Sequence, residues 1–239
     1  MITKTKAIVF KNFKYGEDSL ICMCFTEEHG LLSFFLKGIN KKSKSSIKKS
    51  QFELLNNLSV IYNYKPNSNF KFFKEVKINY MYVDIPFNIY KNAILIFISE
   101  ILINCIKNES PDKSLFFFLE KSLFFLDTSK KVNNFIIIFL LNLSKYLGFY
   151  PNVNSSGNYF NLYNGIFENQ KSDNYSVNEF NSIIIKKFLG MNFEQSEEMR
   201  IKNETRSEII STLIKYFEAH SHGFKKPKSL DILYEIFES

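Results

Sequence analysis

Hydrophobic spacing along this chain changes once, near residue 80. From Lys4 to about Asn79, short apolar runs alternate with turn residues. Ala7-Ile8-Val9-Phe10 reads as a first strand and Tyr15-Gly16-Glu17-Asp18 as a turn. Leu20 to Thr26 is a second strand, Glu27-Glu28-His29-Gly30 a turn, and Leu31 to Lys37 a third strand. After a polar stretch, Leu54 to Tyr64 and Phe70 to Lys77 supply two more, parted by Lys65-Pro66-Asn67-Ser68-Asn69. Five short strands in so few residues suit a small closed barrel, for which the OB-fold is the common five-stranded solution.

Beyond residue 80 the period is helical. Pro86 opens a helix over Phe87 to Lys107, and Ser110-Pro111 offers a cap and a first-turn proline for a second, reaching Asp127. A third helix near Val132 to Leu147 stops at Gly148. Ser176 with Glu179 forms a capping-box pattern for a fourth that ends at Gly190. Asn203 or Thr205 starts a fifth that runs to Gly223, and Ser229 caps a short terminal helix. The segment 149–175, rich in Asn and Ser, interrupts the helices with one strand-like piece at Tyr159 to Phe167. The expectation is an α+β protein with an OB-fold domain over 1–80 and an all-α domain over 81–239.

Charge changes the picture, because it is confined to one part. The 239 residues carry a net +7, yet residues 1–80 alone hold 14 lysines against six acids, and the remainder is close to neutral. A basic surface carried by the barrel alone points to phosphates, on nucleic acid or a membrane. The positive charge is densest from Lys37 to Lys49. Lys37, Lys41, Lys42, Lys44, Lys48 and Lys49 fall there, with no acid from His29 through Phe52. Lysines on a barrel loop can follow a phosphate chain and release counterions on binding; the plainer reading is a solvated charge run. The 27 Phe, in a chain with no Trp and abundant Lys, Asn and Ile, read mainly as core filler.

Other candidate chemistry is sparse. Cys22-Met23-Cys24 places two thiols on one strand face without a second pair at ligand spacing, so core cysteines are expected and no metal. His220 and His222 close the fifth helix, where the dipole favours them. Arg206, one of two arginines, is a candidate anchor for a carboxylate; alternatively it pairs with Glu204 or Glu208. No phosphate-loop, zinc-protease or nucleophile-elbow motif is present, which disfavours an enzyme. With no secretory start and no apolar run of membrane length, a cytoplasmic protein without membrane attachment is expected.

Specific words of the sequence add a family. Thr5-Lys6-Ala7-Ile8-Val9, Tyr15-Gly16-Glu17, Phe25-Thr26-Glu27-Glu28-His29-Gly30-Leu31-Leu32-Ser33 and Lys37-Gly38 resemble the N-terminal barrel of the RecO family. Ser99-Glu100-Ile101-Leu102, Gly148-Phe149 with Pro151, Gly165-Ile166-Phe167, Arg206, Tyr216, His220 and Gly223-Phe224-Lys225 continue the likeness in order. The resemblance implies a non-catalytic mediator of recombination in DNA repair. Such a protein binds single- and double-stranded DNA, anneals complementary strands and, with RecR, helps RecA load onto strands coated by single-stranded-DNA-binding protein. It implies DNA and RecR contacts on the barrel, and a site for that coating protein's acidic C-terminal tail on the helical domain, for which Arg206 is the candidate. Many members hold a four-cysteine zinc site in the segment matching Phe149 to Tyr175. This chain has no cysteine there, so neither zinc nor any other cofactor is expected. The rival readings are a protein-interaction scaffold without DNA binding and a degenerate nucleic-acid enzyme.

Overall fold

β1 (Ile2–Tyr15) is the longest strand because it serves two neighbours. It pairs antiparallel with β4 (Asn57–Asn63), from Ile2 opposite Asn63 to Ile8 opposite Asn57. It also pairs with β2 (Ser19–Thr26), from Ala7 opposite Thr26 to Tyr15 opposite Ser19. A bulge between Val9 and Lys11 lets the strand bend from one partner to the other. With β3 (Gly30–Leu36) and β5 (Phe73–Tyr80) the order is β3-β2-β1-β4-β5. The computed structural model describes residues 1–39, 47–107, 110–172 and 175–238.

The two edges of this sheet meet. Phe34 forms a parallel bridge with Lys71; the Phe35 N–H donates to the Lys71 carbonyl at 3.0 Å, and the Lys71 N–H to that of Ser33 at 2.9 Å. This closure makes the five strands an OB-like barrel. Ala7, Val9, Cys22, Cys24, Phe34, Val60 and Tyr62 fill its interior, and a single 3₁₀ turn at Lys49–Phe52 adds Phe52 to them.

β1 begins before the run Ala7–Phe10 because its inward row starts with Thr3 and Thr5, both buried, which a hydrophobic pattern does not count. β4 begins later than Leu54 because Leu55 adopts a left-handed φ of 56°. That turn is held by the Leu55 N–H to Val9 carbonyl bond at 2.7 Å and by the Tyr82 hydroxyl donating to the Leu55 carbonyl at 2.7 Å.

Two helices complete a first compact unit, Met1–Asp127. α1 (Ile89–Cys105) is capped by Asn88, whose side chain accepts from the N–H groups of Tyr90 and Lys91. Pro86 instead sits in a short 3₁₀ turn just before it. α2 (Lys113–Thr128) is capped by Asp112, whose Oδ1 accepts from the Leu115 N–H at 2.8 Å, so Ser110-Pro111 lies one step outside the helix. Phe116 of α2 stacks on Phe25 at 6.1 Å, Phe25 on Phe10 at 5.5 Å, and Phe124 meets Tyr80 at 5.3 Å. Ile8, Phe10 and Phe25 are therefore buried although they lie on the outer side of the barrel.

Asp127 locks this packing. Its carboxylate, 1% exposed, accepts from the N–H groups of Val83 at 2.9 Å, Asp84 at 2.9 Å and Ile85 at 3.0 Å, and from the Tyr80 hydroxyl at 2.8 Å. Lys91, also buried, reaches Asp84 at 2.7 Å and the Asp127 carbonyl at 2.7 Å. The period switches near residue 80, and the first compact unit runs on to Asp127.

The second unit, Thr128–Ser239, holds α3 (Phe135–Tyr146), α4 (Glu179–Phe188), α5 (Phe193–Glu198), α6 (Asn203–His220) and α7 (Leu230–Glu238). The strand-like piece of the interrupting segment is a hairpin, β6 (Tyr159–Asn161) and β7 (Ile166–Glu168). α4 is capped by Asn178 rather than Ser176, which bridges to Asn161 instead. Short, polar α5 has no apolar period to betray it.

Candidate nucleic-acid interface

Lys37 follows the last residue of β3, and the chain turns at Gly38, φ 67°, before the Ile39 N–H donates to the Asp18 carbonyl at 2.9 Å. Lys48 and Lys49 lead into the 3₁₀ turn, where the Gln51 side chain ties the Lys48 N–H at 2.7 Å to the Val76 carbonyl at 3.0 Å. These three lysines, all exposed, line one cavity of about 330 Å³ together with Phe35, Ile39 and Phe72. Lys41, Lys42 and Lys44 lie outside the described residues.

Next to the lysines stands a group of rings, of which Phe35, Phe70 and Phe72 belong to the phenylalanines read mainly as core filler from the sequence. Tyr15, at the end of β1, lies edge-on to Phe35 at 5.7 Å. Phe70 and Phe72, between β4 and β5, approach Phe35 at 6.1 and 6.2 Å. Tyr15 is 57% exposed, Phe72 58% and Phe70 39%. Register extends the row, since Phe13 pairs with Ile21 and Ile21 with Phe35. The rings come from the end of β1 beside the β1–β2 turn, from β3 and from the β4–β5 loop, near the part of an OB barrel that meets oligonucleotides. The available signal was the order of Phe70-Lys71-Phe72-Phe73. Phe73 stacks on buried Phe34 at 4.0 Å and Lys71 is buried, so alternation sends Phe70 and Phe72 outward.

Lys71 is compensated where it lies. Its Nζ donates to the Ser68 carbonyl and sits 5.6 Å from the Tyr64 ring centre. The His29 ring stacks on Tyr64 at 3.7 Å and its Nδ1 is 2.7 Å from the Tyr62 hydroxyl. Burial pushes Tyr62 up to about 12.

The remaining candidates occupy structural positions. Cys22 and Cys24 are buried inside the barrel with their sulfurs 3.4 Å apart, and burial raises the Cys24 thiol well above its usual range. His220 ends α6, but its Nε2 meets the Leu162 carbonyl at 2.9 Å and its ring stacks on Phe149 at 5.4 Å. It therefore helps fasten the interrupting segment to α6. Tyr216 does the same, its hydroxyl donating to the Phe149 carbonyl at 2.6 Å.

Arg206 lies in the second unit and is 9% exposed. Its guanidinium donates to Asn203 Oδ1 at 2.6 Å, the Ile201 carbonyl at 3.2 Å and Asn134 Oδ1 at 3.3 Å, and Glu208 binds Asn181 instead. Asn134 in turn donates to the carbonyls of Ser196 and Met199. The Glu197 carboxylate, raised by burial, accepts the N–H groups of Asn133 and Asn134 at 3.0 Å and so serves the exposed donors at the start of α3.

In the segment 149–175, side chains knit the hairpin. The Asn161 amide donates to Glu168 at 3.1 Å and to Ser172 at 3.2 Å, while its Oδ1 accepts from the N–H groups of Tyr163 and Asn164. Among the described residues, no group of three or more His, Cys, Asp or Glu is arranged to hold a metal ion, and no helix is long and apolar enough to cross a membrane.

The family model described as Recombination protein O N terminal matches residues 1–82, and that described as Recombination protein O C terminal matches residues 86–231. Among curated relatives, the DNA repair protein RecO of Christiangramia forsetii is 37% identical over 99% of this chain and all of its own length. That of Flavobacterium johnsoniae is 39% identical over the same shares. That of Bacteroides fragilis is 30% identical over the whole of both chains.

Proposed function

The chain belongs to the RecO family, and on that premise we propose that it is a non-catalytic recombination mediator in DNA repair whose barrel binds single- and double-stranded DNA. The observation that carries this reading is the convergence of Lys37, Lys48 and Lys49 on one cavity, in a stretch with no carboxylate from His29 through Phe52. Lysines so placed neutralise phosphates without reading sequence. Engaging two strands lowers the repulsion that opposes their pairing, and annealing follows from base pairing itself.

Partner contacts complete the reading. With RecR, the protein helps RecA load onto strands covered by single-stranded-DNA-binding protein, and the helical part receives that protein's acidic C-terminal tail. Arg206 is the proposed anchor for the tail's carboxylate, held in place by its bonds to Asn134, Asn203 and the Ile201 carbonyl.

The test is fluorescence anisotropy on the full chain carrying Lys37→Ala, Lys48→Ala and Lys49→Ala, across a salt series. Three lost phosphate contacts reduce the slope of log affinity against log salt by roughly two to three, on single strands and duplex alike. Affinity and slope equal to wild type would remove the lysines from the interface. Strand annealing with and without the coating protein tests the mediator role itself.

A further inference from the structure

The outward rings beside the lysines are unusual in kind. Scattered exposed apolar residues are ordinary on a protein surface, but contiguous ones mark a binding surface. Here Phe35 sits at the centre with Tyr15, Phe70 and Phe72 around it at 5.7, 6.1 and 6.2 Å. The segment that supplies two of them turns Lys71 inward and Phe70 and Phe72 outward, the reverse of what burial favours. Phe35 and Phe72 also line the cavity that Lys37, Lys48 and Lys49 share, so an apolar face and a cationic rim meet at one place.

Resting on the DNA-binding reading above, the geometry points to a division of labour: the lysines hold phosphates of any strand, while Tyr15, Phe35, Phe70 and Phe72 form a platform that stacks unpaired bases. Aromatic faces accept every base, because each has a π-face, and they require that face to be free. A base inside a duplex already has both faces covered by its neighbours. The platform therefore adds affinity only where a strand is unpaired, a contribution the lysines do not make. A strand held for annealing loses the stacking contribution once it pairs, which favours release of the duplex product. The charge beside the patch favours this occupant over an apolar protein surface, since Lys37, Lys48 and Lys49 line the cavity that Phe35 and Phe72 share.

The chain contains no Trp, so Phe72→Trp places a single indole reporter in the platform. Its emission is expected to be quenched by oligo-dT and to change far less with a blunt duplex of equal charge. Phe72→Ala and Tyr15→Ala, both at exposed positions, are each expected to weaken oligo-dT binding about tenfold, with duplex affinity within about twofold and the salt slope unchanged. Circular dichroism checks that each variant is folded. Unchanged oligo-dT affinity overturns the platform and leaves the patch to another partner. An equal loss on duplex overturns it as well. Failure of the lysine reading looks different, because there the Lys37, Lys48 and Lys49 variant keeps both affinity and salt slope.

Discussion

Removing the Asp127 carboxylate tests how the helices are fastened to the barrel. Asp127→Ala takes away the acceptor for three main-chain N–H groups, at Val83, Asp84 and Ile85, and for the Tyr80 hydroxyl. A buried donor left without a partner costs about 1–3 kcal/mol, and breaking a buried charged contact costs about 3–5 kcal/mol in total. Water reaching the opened bend compensates some donors, so the expected loss is about 3–5 kcal/mol. Against a domain stability of about 5–15 kcal/mol this is large. Asp127→Asn keeps one carbonyl oxygen but turns an NH₂ toward a donor, and should lose about 2 kcal/mol.

The same residue carries a pH signature. Burial pushes the Asp127 carboxyl up, but the N–H groups of Ile85, Val83 and Asp84 and the Tyr80 hydroxyl outweigh it and leave it below its ordinary value. Its folded pKa is lower than its unfolded one, so its contribution is complete above about pH 5. It drains as the pH falls through about 3.9 toward the lowered folded value. Urea unfolding followed by circular dichroism at pH 7 and between pH 5 and 2 measures both effects. Asp127→Asn should decline less steeply than wild type in the acid range. A loss under about 1 kcal/mol for Asp127→Ala, with an acid slope like that of wild type, would refute the reasoning.

Three further outcomes are expected. Gly165→Ala should destabilise the protein by about 2 kcal/mol, because φ is 67° there and a Cβ would sit 2.6 Å from the Tyr216 hydroxyl oxygen; combining it with Tyr216→Phe should be less than additive in chemical unfolding. Arg206→Ala should cost about 2–4 kcal/mol and Arg206→Lys should not restore it, since one ammonium cannot span Asn203, Ile201 and Asn134; tail-peptide titration at a temperature where the variant is folded reads the partner site separately. Elemental analysis should find zinc well below one equivalent, and a chelator should leave the melting temperature unchanged; tightly held stoichiometric zinc would contradict the hydrogen-bonded account of the hairpin.

Much of the architecture is local and was therefore legible in the sequence. The barrel strands, the long helices, the basic first third and the family likeness all follow from period, turn residues, charge and short words read along the chain. Where pattern reading slipped, a polar residue was doing an apolar or turn-forming job: Thr3 and Thr5 filling inward positions of β1, Asp112 and Asn178 capping helices in place of Ser110 and Ser176. Tertiary structure decided what depends on distant partners. Asp127 draws on N–H groups more than forty residues away, and Arg206 on Asn134. The functional surface divides the same way. Lysines announce themselves because charge stays solvated wherever the chain goes. Phe35, Phe70 and Phe72 could not be told from core rings until closure of β3 on the segment before β5 fixed which side each one faces, because a single step in strand register exchanges inside for outside.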